Sequence, residues 1–502
     1  MNEHRDVLIV GAGFAGLGTA IRLAQRGHRD FAILERADEI GGTWRDNSYP
    51  GAACDVPSHL YSFSFAPNPA WSRSFSRQPE IQEYLLDCAR RYDLRPHLRL
   101  GHELLDATWD AEAARWRVRT SRGDFTGRIL VVGAGPLSEP RRPELPGLDD
   151  FAGAVFHSAQ WDHERSLAGR RVAVVGTGAS AIQFVPQIAP DVARLHVFQR
   201  TPPWIIPRAD RAITNAERWL FARVPAARAM VRAGIYSVRE SLAVGLTLRP
   251  PILTALARVA AGHLRRQVAD RDLRAALLPD YQIGCKRILI SNDYYPALTR
   301  DNTELVTSGI EQVEAHAIRT ADGRRREVDT IIFGTGFEAT RPPIADRLTG
   351  RDGLRLADAW RDGMRAYRGT TIAGFPNLFM LVGPNTGLGH NSMVYMIESQ
   401  LNYVMDALDK MARHGVEAVE VDRGAEHAYN EQLQRRLAPT VWNVGGCASW
   451  YLDPNGRNTT LWPSFTWRFR RLTRTFDPRG YHLLSAGAEQ KEVPWPPRTP
   501  VA

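Results

Sequence analysis

Cysteine is scarce: Cys54, Cys88, Cys285 and Cys447 are spread through 502 residues, and none belongs to a Cys-x-x-Cys pair. This spacing gives no sign of a zinc site or a disulfide framework and fits a reducing compartment. Long hydrophobic runs are missing too. No uninterrupted apolar stretch approaches the roughly 18 residues that a membrane span requires. The opening Met1-Asn2-Glu3-His4-Arg5-Asp6 is charged and leads straight into a strand-like run, with no room for a secretory leader. The expectation is a soluble, cytoplasmic protein.

Lysine is rarer still, at Lys286, Lys410 and Lys491 only, so 61 of the 64 basic residues (64 − 3) are arginine. A formal charge of +9 is what a nucleic-acid binder carries. Here, however, the arginines are scattered through helix- and loop-like segments rather than gathered in one tract. Compositional bias explains most of the excess, a phosphate-rich cofactor explains part, and no nucleic-acid partner is expected. With 44% hydrophobic residues the chain is long enough for two or three ordinary cores.

Val7-Leu8-Ile9-Val10 has the unbroken apolar character of a fully buried strand. A glycine turn, a helical pattern ending near Gly27 and the strand Phe31-Ala32-Ile33-Leu34 complete a βαβ unit. A second such unit runs from Arg171-Val172-Ala173-Val174-Val175 to Leu195-His196-Val197-Phe198. Two further apolar strands end in glycine turns, Ile129 to Gly135 and Thr330 to Gly336. They read as the points where the chain leaves and re-enters the first domain. The predicted fold is therefore α/β, with two Rossmann-like dinucleotide-binding domains and the second inserted in the first. Residues 1–150 and 326–502 form one domain and 151–325 the other. Residues 212–278, rich in Ala, Leu and Arg, form a helical excursion whose faces read as core and solvent. From Trp442 to Trp467, glycine, proline and asparagine predict a loop.

Gly11-Ala12-Gly13-Phe14-Ala15-Gly16 lies between strand and helix, where glycines allow a pyrophosphate to approach the helix N-terminus. Glu35 closes the next strand, at the place of an acid that binds ribose hydroxyls. The second turn is Gly176-Thr177-Gly178-Ala179-Ser180-Ala181, and its next strand ends in Gln199-Arg200-Thr201. Arginine in place of an acid pairs with a ribose 2′-phosphate, which favours NADPH over NADH. Two dinucleotide sites imply electron transfer between two cofactors. Gly41-Gly42-Thr43-Trp44 follows the Glu35 strand, and the only cysteine close by is Cys54, so disulfide reduction is not expected and molecular oxygen is the natural acceptor.

One stretch is more specific. Phe151-Ala152-Gly153-Ala154-Val155-Phe156-His157-Ser158-Ala159-Gln160-Trp161-Asp162 resembles the fingerprint of type I Baeyer–Villiger monooxygenases. A second signature agrees: Gly41-Gly42-Thr43-Trp44, then Tyr49-Pro50-Gly51, then Asp55. The resemblance spans nearly the whole chain. It implies FAD at the first turn and NADPH at the second, with one oxygen atom from O2 inserted into a ketone through a peroxyflavin to give an ester or lactone. It implies Arg287 and Asp55 as catalytic residues and Lys286 as a 2′-phosphate ligand. Phe14, Thr43, Trp44, Asp55 and Tyr61 would line the flavin, and Thr201, Arg287 and Trp450 the nicotinamide nucleotide. His157 reads as a conformational linker residue and Trp161 as packing. Gly383-Pro384-Asn385-Thr386-Gly387 and His390-Asn391-Ser392 would open a helix, from about 392 to 411, that faces the flavin. After Ser449-Trp450-Tyr451 the chain departs from the commonest family pattern, with Asp453-Pro454-Asn455-Gly456-Arg457-Asn458. A nitrogen- or sulfur-oxidising flavin monooxygenase is the first alternative and a non-catalytic redox sensor the second.

Overall fold

The computed structural model describes residues 3–484; Lys491 lies outside them. The chain opens with β1 (Glu3–Val10), α1 (Phe14–Gln25), β2 (Phe31–Leu34), α2 (Thr43–Asp46) and α3 (Gln78–Arg91). Next come β3 (Leu98–Arg99), β4 (Leu104–Asp110), β5 (Arg115–Thr120) and β6 (Gly123–Val132). Together with Leu348–Thr349 and Leu378–Met380 these strands form one eight-stranded sheet. β1 lies between β2 and β6, parallel to both, with Val7 beside Phe31 and Ile129. Its last four residues are buried, which is why that run carries no polar alternation. Trp116 is fully buried on the opposite face, and its indole N–H donates to the Pro376 carbonyl at 3.0 Å.

β7 (Ala154–His157), β8 (Arg171–Val175), α4 (Ala181–Ile188) and β9 (Arg194–Phe198) begin the second layer. Its five-stranded sheet runs Thr303–Val306, β9, β8, Thr330–Phe333, β7. One expectation is corrected here. Thr330–Phe333 does not open the returning part of the first domain; it pairs with β8 and β7 inside the second sheet. A buried parallel strand ending in a glycine turn satisfies either sheet equally well, so its apolar run did not distinguish them. The first sheet resumes only with Leu348–Thr349, which pairs with β4. The two crossing segments touch: Arg141 N–H donates to the Gly336 carbonyl at 2.8 Å and Glu338 N–H to the Glu139 carbonyl at 3.0 Å.

His157 sits below this crossing, fully buried, edge-on to Phe337 with ring centroids 5.6 Å apart. Its Nδ1 accepts from the Ala159 N–H at 3.1 Å. Trp161 packs edge-on against Phe156 at 5.3 Å. Burial pushes His157 from its ordinary 6.5 down to about 4, and burial does the same to His59. Burial also pushes the Glu426 carboxyl up to about 7. The signs oppose each other. The unfolded chain protonates the histidines first, so their contribution to stability is lost as pH falls below 6.5. Glu426, protonated first in the folded state, gains stability over its window. The His157→Asn variant, which keeps an acceptor for Ala159, should flatten the dependence of stability on pH by about 1.4 kcal/mol per unit near pH 5.5. Urea midpoints with the same slope as the parent would contradict this.

The helical excursion holds α5 (Asn215–Arg223), α6 (Pro225–Ala243), α7 (Thr254–Gln267) and α8 (Arg271–Ala276). Thr214 caps α5 through a reciprocal capping box with Glu217. In α6 the charged side chains face the protein. Arg232 donates to the His59 and Ser62 carbonyls at 2.7 and 3.0 Å, and Glu240 is only 6% exposed. The predicted loop from Trp442 to Trp467 begins and ends in helix, at Val441–Val444 and Thr466–Leu472. Among the described residues no helix is long and apolar enough to cross a membrane.

Candidate active site

The first glycine turn is built as its spacing predicts. Gly11 N–H donates to the Leu34 carbonyl at 2.8 Å and fixes the turn between β1 and β2. Gly16 admits no side chain, because a Cβ there would stand 1.8 Å from the Gly11 carbonyl oxygen. That close approach seats α1 directly on the turn. Gly13 is the N-cap, and no side chain caps the helix, so its first amides point outward as anion donors. Glu35 is 4% exposed, and its carboxylate accepts from Ala12 N–H at 2.8 Å, Ala37 N–H at 3.0 Å and Arg45 at 2.9 Å. A carboxylate offers about four acceptor positions, so one is left for a ribose hydroxyl. Phe14, Trp44 and Tyr61 form one aromatic wall, with the Trp44 indole N–H donating to the Tyr61 hydroxyl at 3.0 Å and Phe14 edge-on to Tyr61 at 5.2 Å. Thr43 begins α2 beside them.

The second turn repeats the design. Gly176 N–H donates to the Phe198 carbonyl at 3.0 Å, and the Thr177 hydroxyl to the Thr201 carbonyl at 3.3 Å. Gly178 and Ala179 are exposed, and Ser180 leads into α4 with no side-chain cap. Arg200, exposed at the end of β9, has no ion-pair partner among the described residues, and neither does Lys286. Burial lowers the Lys286 ammonium from its ordinary value, and the nearby Arg200 charge lowers it further. The Lys286 ammonium stands 5.1 Å over the Tyr281 ring. The two neighbouring cations repel each other, a repulsion that Asp280 offsets only in part and that a bound anion relieves. They fit a phosphate.

Arg287 and Asp55, 232 residues apart, meet in a bidentate pair, Nε to Oδ2 at 2.6 Å and Nη2 to Oδ1 at 2.7 Å. Arg287 Nη1 also donates to the Leu388 carbonyl at 3.1 Å. Burial would raise the Asp55 carboxyl, but the Arg287 charge and its hydrogen bonds outweigh it, and the carboxyl titrates below its ordinary value. Arg287 is correspondingly raised by Asp55 against its own burial. Both stay charged, yet their side chains keep 30% and 26% exposure, so the pair borders open space.

Sequence reasoning missed the contribution of α6. Arg239 donates to the Asp55 backbone carbonyl. Its neighbour Glu240 accepts from the Asn391 side chain at 2.6 Å and the Thr466 hydroxyl at 2.8 Å, with His390 Nε2 at 3.5 Å. The signal was there: Glu240 is the only acid between Glu217 and Asp270. Asn391 directly precedes Ser392, whose hydroxyl accepts from Val394 N–H at 3.2 Å and caps the helix Met393–His414. This helix starts where expected and runs three residues longer, to Gly415 in a left-handed cap.

In the C-terminal segment Trp450 is 46% exposed and Tyr451 only 1%, with ring centroids 4.5 Å apart. Tyr451 lies within the field of Arg287 and Asp55; burial, with the opposing charge of Arg287, pushes its hydroxyl up to about 12. The expected absence of disulfides is corrected. Cys285 and Cys447, 162 residues apart, are joined, while Cys54 and Cys88 are free and buried. The pairing has no local sequence signature because tertiary closure alone brings the two segments together.

Residues 8–214 match the family model described as pyridine nucleotide-disulphide oxidoreductase. The Cys285–Cys447 bridge lies outside that span. A Baeyer-Villiger monooxygenase of Pseudomonas aeruginosa is 54% identical over 96% of this chain and 92% of its own. One from Streptomyces coelicolor is 51% identical over 98% of this chain and 95% of its own. A closed crystal structure of cyclohexanone monooxygenase superimposes with a TM-score of 0.86 at 28% identity, covering 97% of this chain and all of that one. Oxidized steroid monooxygenase bound to NADP gives 0.84 at 32% identity, over 96% of this chain and all of that one. With more than half its residues shared with two relatives along nearly their full length, the chain belongs to the Baeyer–Villiger monooxygenase family.

Proposed function

We propose that the protein binds FAD at the Gly11–Gly16 turn and NADPH at the Gly176–Ser180 turn, and inserts one atom of O2 into a small-molecule ketone to give an ester or lactone. We place it in the cytoplasm, acting on small molecules and not on nucleic acid. The flavin, when bound, supplies hydride acceptance and oxygen activation. The chain supplies the rest. The amides at the start of α1 and of α4 receive pyrophosphates. Arg200 and Lys286 hold the 2′-phosphate. Asp55 locks the Arg287 guanidinium in one plane and keeps it charged. Three of its five N–H groups are engaged by Asp55 and Leu388, which leaves two to meet negative charge growing on a ketone oxygen. Tyr451, buried near the pair, covers one side of the cation and leaves the other open to a substrate.

The observation that carries this reading is the bidentate Arg287–Asp55 pair, tied through Leu388 to the segment that leads into the Met393 helix. Turnover of a ketone panel under 18O2 should give esters carrying one labelled atom, with NADPH consumed in step. Oxidation of amines or sulfides while every ketone stays inert would replace the reading with nitrogen or sulfur oxygenation.

A further inference from the structure

In the segment that carries Ser449, Trp450 and Tyr451, the last residue is buried and its carbonyl accepts from the Thr460 hydroxyl at 3.1 Å, while the chain before it is tied to Cys285 through Cys447. Among the described residues, the backbone between Gly446 and Trp450 makes no hydrogen bond to the backbone of another segment. The nearest backbone tie is Gln282 N–H to the Gly445 carbonyl, at 3.0 Å. Gly445 leaves no room for a side chain against Cys285, whose Cβ would stand 2.7 Å away. Gly446 follows in a left-handed conformation, with φ +76° and open space around it, as a hinge would be. Cys285 is 1% exposed but Cys447 is partly exposed, so one end of the bridge lies at the protein surface. On one side of the bridge Lys286 and Arg287 follow directly; on the other, Trp450 lies three residues on.

We propose that the Cys285–Cys447 disulfide is a reversible positioning cross-link that pins the Trp450–Tyr451 segment over the Lys286–Arg287 segment in the oxidised protein and releases it on reduction. Forming the bond removes two electrons and two protons from two thiols; a peroxide takes them up and leaves as water. A dithiol returns both, opens the bridge to two thiols and is itself converted to a disulfide. In a reducing cytoplasm, disulfides that do form are usually transient and regulatory. With the bridge open, Tyr451 keeps its packing and the hydrogen bond from the Thr460 hydroxyl to its carbonyl, but the chain before it loses its tie to Cys285, and the partial exposure of the Arg287 cation increases. The effect on catalysis rests on the monooxygenase reading above; the cross-link itself does not.

Three measurements on the full-length holoenzyme separate these points. After treatment with hydrogen peroxide and denaturation, the protein should take up two N-ethylmaleimide groups, on Cys54 and Cys88, and four after dithiothreitol. Four labels in both cases would overturn the cross-link. Chymotrypsin should cut at Trp450 or Tyr451 several-fold faster in the reduced protein and in the Cys447→Ser variant. Equal rates would overturn the tether, whatever the reaction catalysed. Last, ester formed per NADPH consumed should fall several-fold on reduction, while the rate of NADPH consumption changes little. Cys447→Ser should resemble the reduced protein and ignore dithiothreitol. An unchanged ratio alongside a changed cleavage rate would remove the positioning role. A protein that passes the first two tests but converts no ketone would count against the monooxygenase reading alone.

Discussion

Replacing Arg287 by alanine should lower ester formation by about a hundredfold to a thousandfold while the protein stays folded and yellow. The magnitude is that of one preorganised donor lost from a site where negative charge develops, about 2.7–4 kcal/mol. Geometry explains why recovery should be poor. Arg287 uses Nε and Nη2 on Asp55 and Nη1 on the Leu388 carbonyl, all in one plane. Lysine has a single ammonium and cannot hold Asp55 in two places while facing a third group, so Arg287→Lys should not restore turnover. The measurement is ketone conversion at saturating NADPH, with absorbance of bound flavin as the check on folding. Conversion within a few-fold of the parent would remove Arg287 from the reaction. It would also leave Asp55, whose carboxyl is held below its ordinary range chiefly by that arginine, without a catalytic purpose.

The second large effect concerns the choice of nicotinamide. Arg200→Ala should weaken NADPH binding by about tenfold to a hundredfold and leave NADH nearly unaffected, since one charge-assisted hydrogen bond contributes about 1.5–3 kcal/mol. Lys286→Ala should act in the same direction, with oxygen insertion retained at saturating cofactor. The two cations share one electrostatic environment: the Arg200 charge lowers the Lys286 ammonium, after burial. Removing Arg200 therefore relieves Lys286, and the double variant should lose less than the product of the single losses. NADPH affinity should also begin to fall at a lower alkaline pH than an ordinary lysine would give, because Lys286 sheds its proton sooner. Arg200→Ala with unchanged NADPH preference, measured as the ratio of kcat/KM for the two nucleotides, would overturn the assignment.

Whatever depends on local sterics was legible in the chain. The two glycine turns, their strands and the helices that follow them are set by short-range demands, such as a position where a Cβ would stand 1.8 Å from a carbonyl oxygen. Arg200, two residues beyond β9, was equally readable, because the end of the strand fixes where the chain leaves the sheet. The helix expected to open at about 392 starts at Met393, where Ser392 caps it.

Other features needed the folded chain. Thr330–Phe333 could have joined either sheet, and only hydrogen bonding to β7 and β8 decided it. Arg239 and Glu240 lie in a helix whose charges turn inward, against the amphipathic expectation, because Asp55 and Asn391 wait for them there. Asp55 and Arg287 meet across 232 residues and Cys285 and Cys447 across 162. Spacing along a chain carries no information about such distant pairs. Their meeting is settled by how two sheets and a helical excursion close on one another, which only the tertiary structure determines.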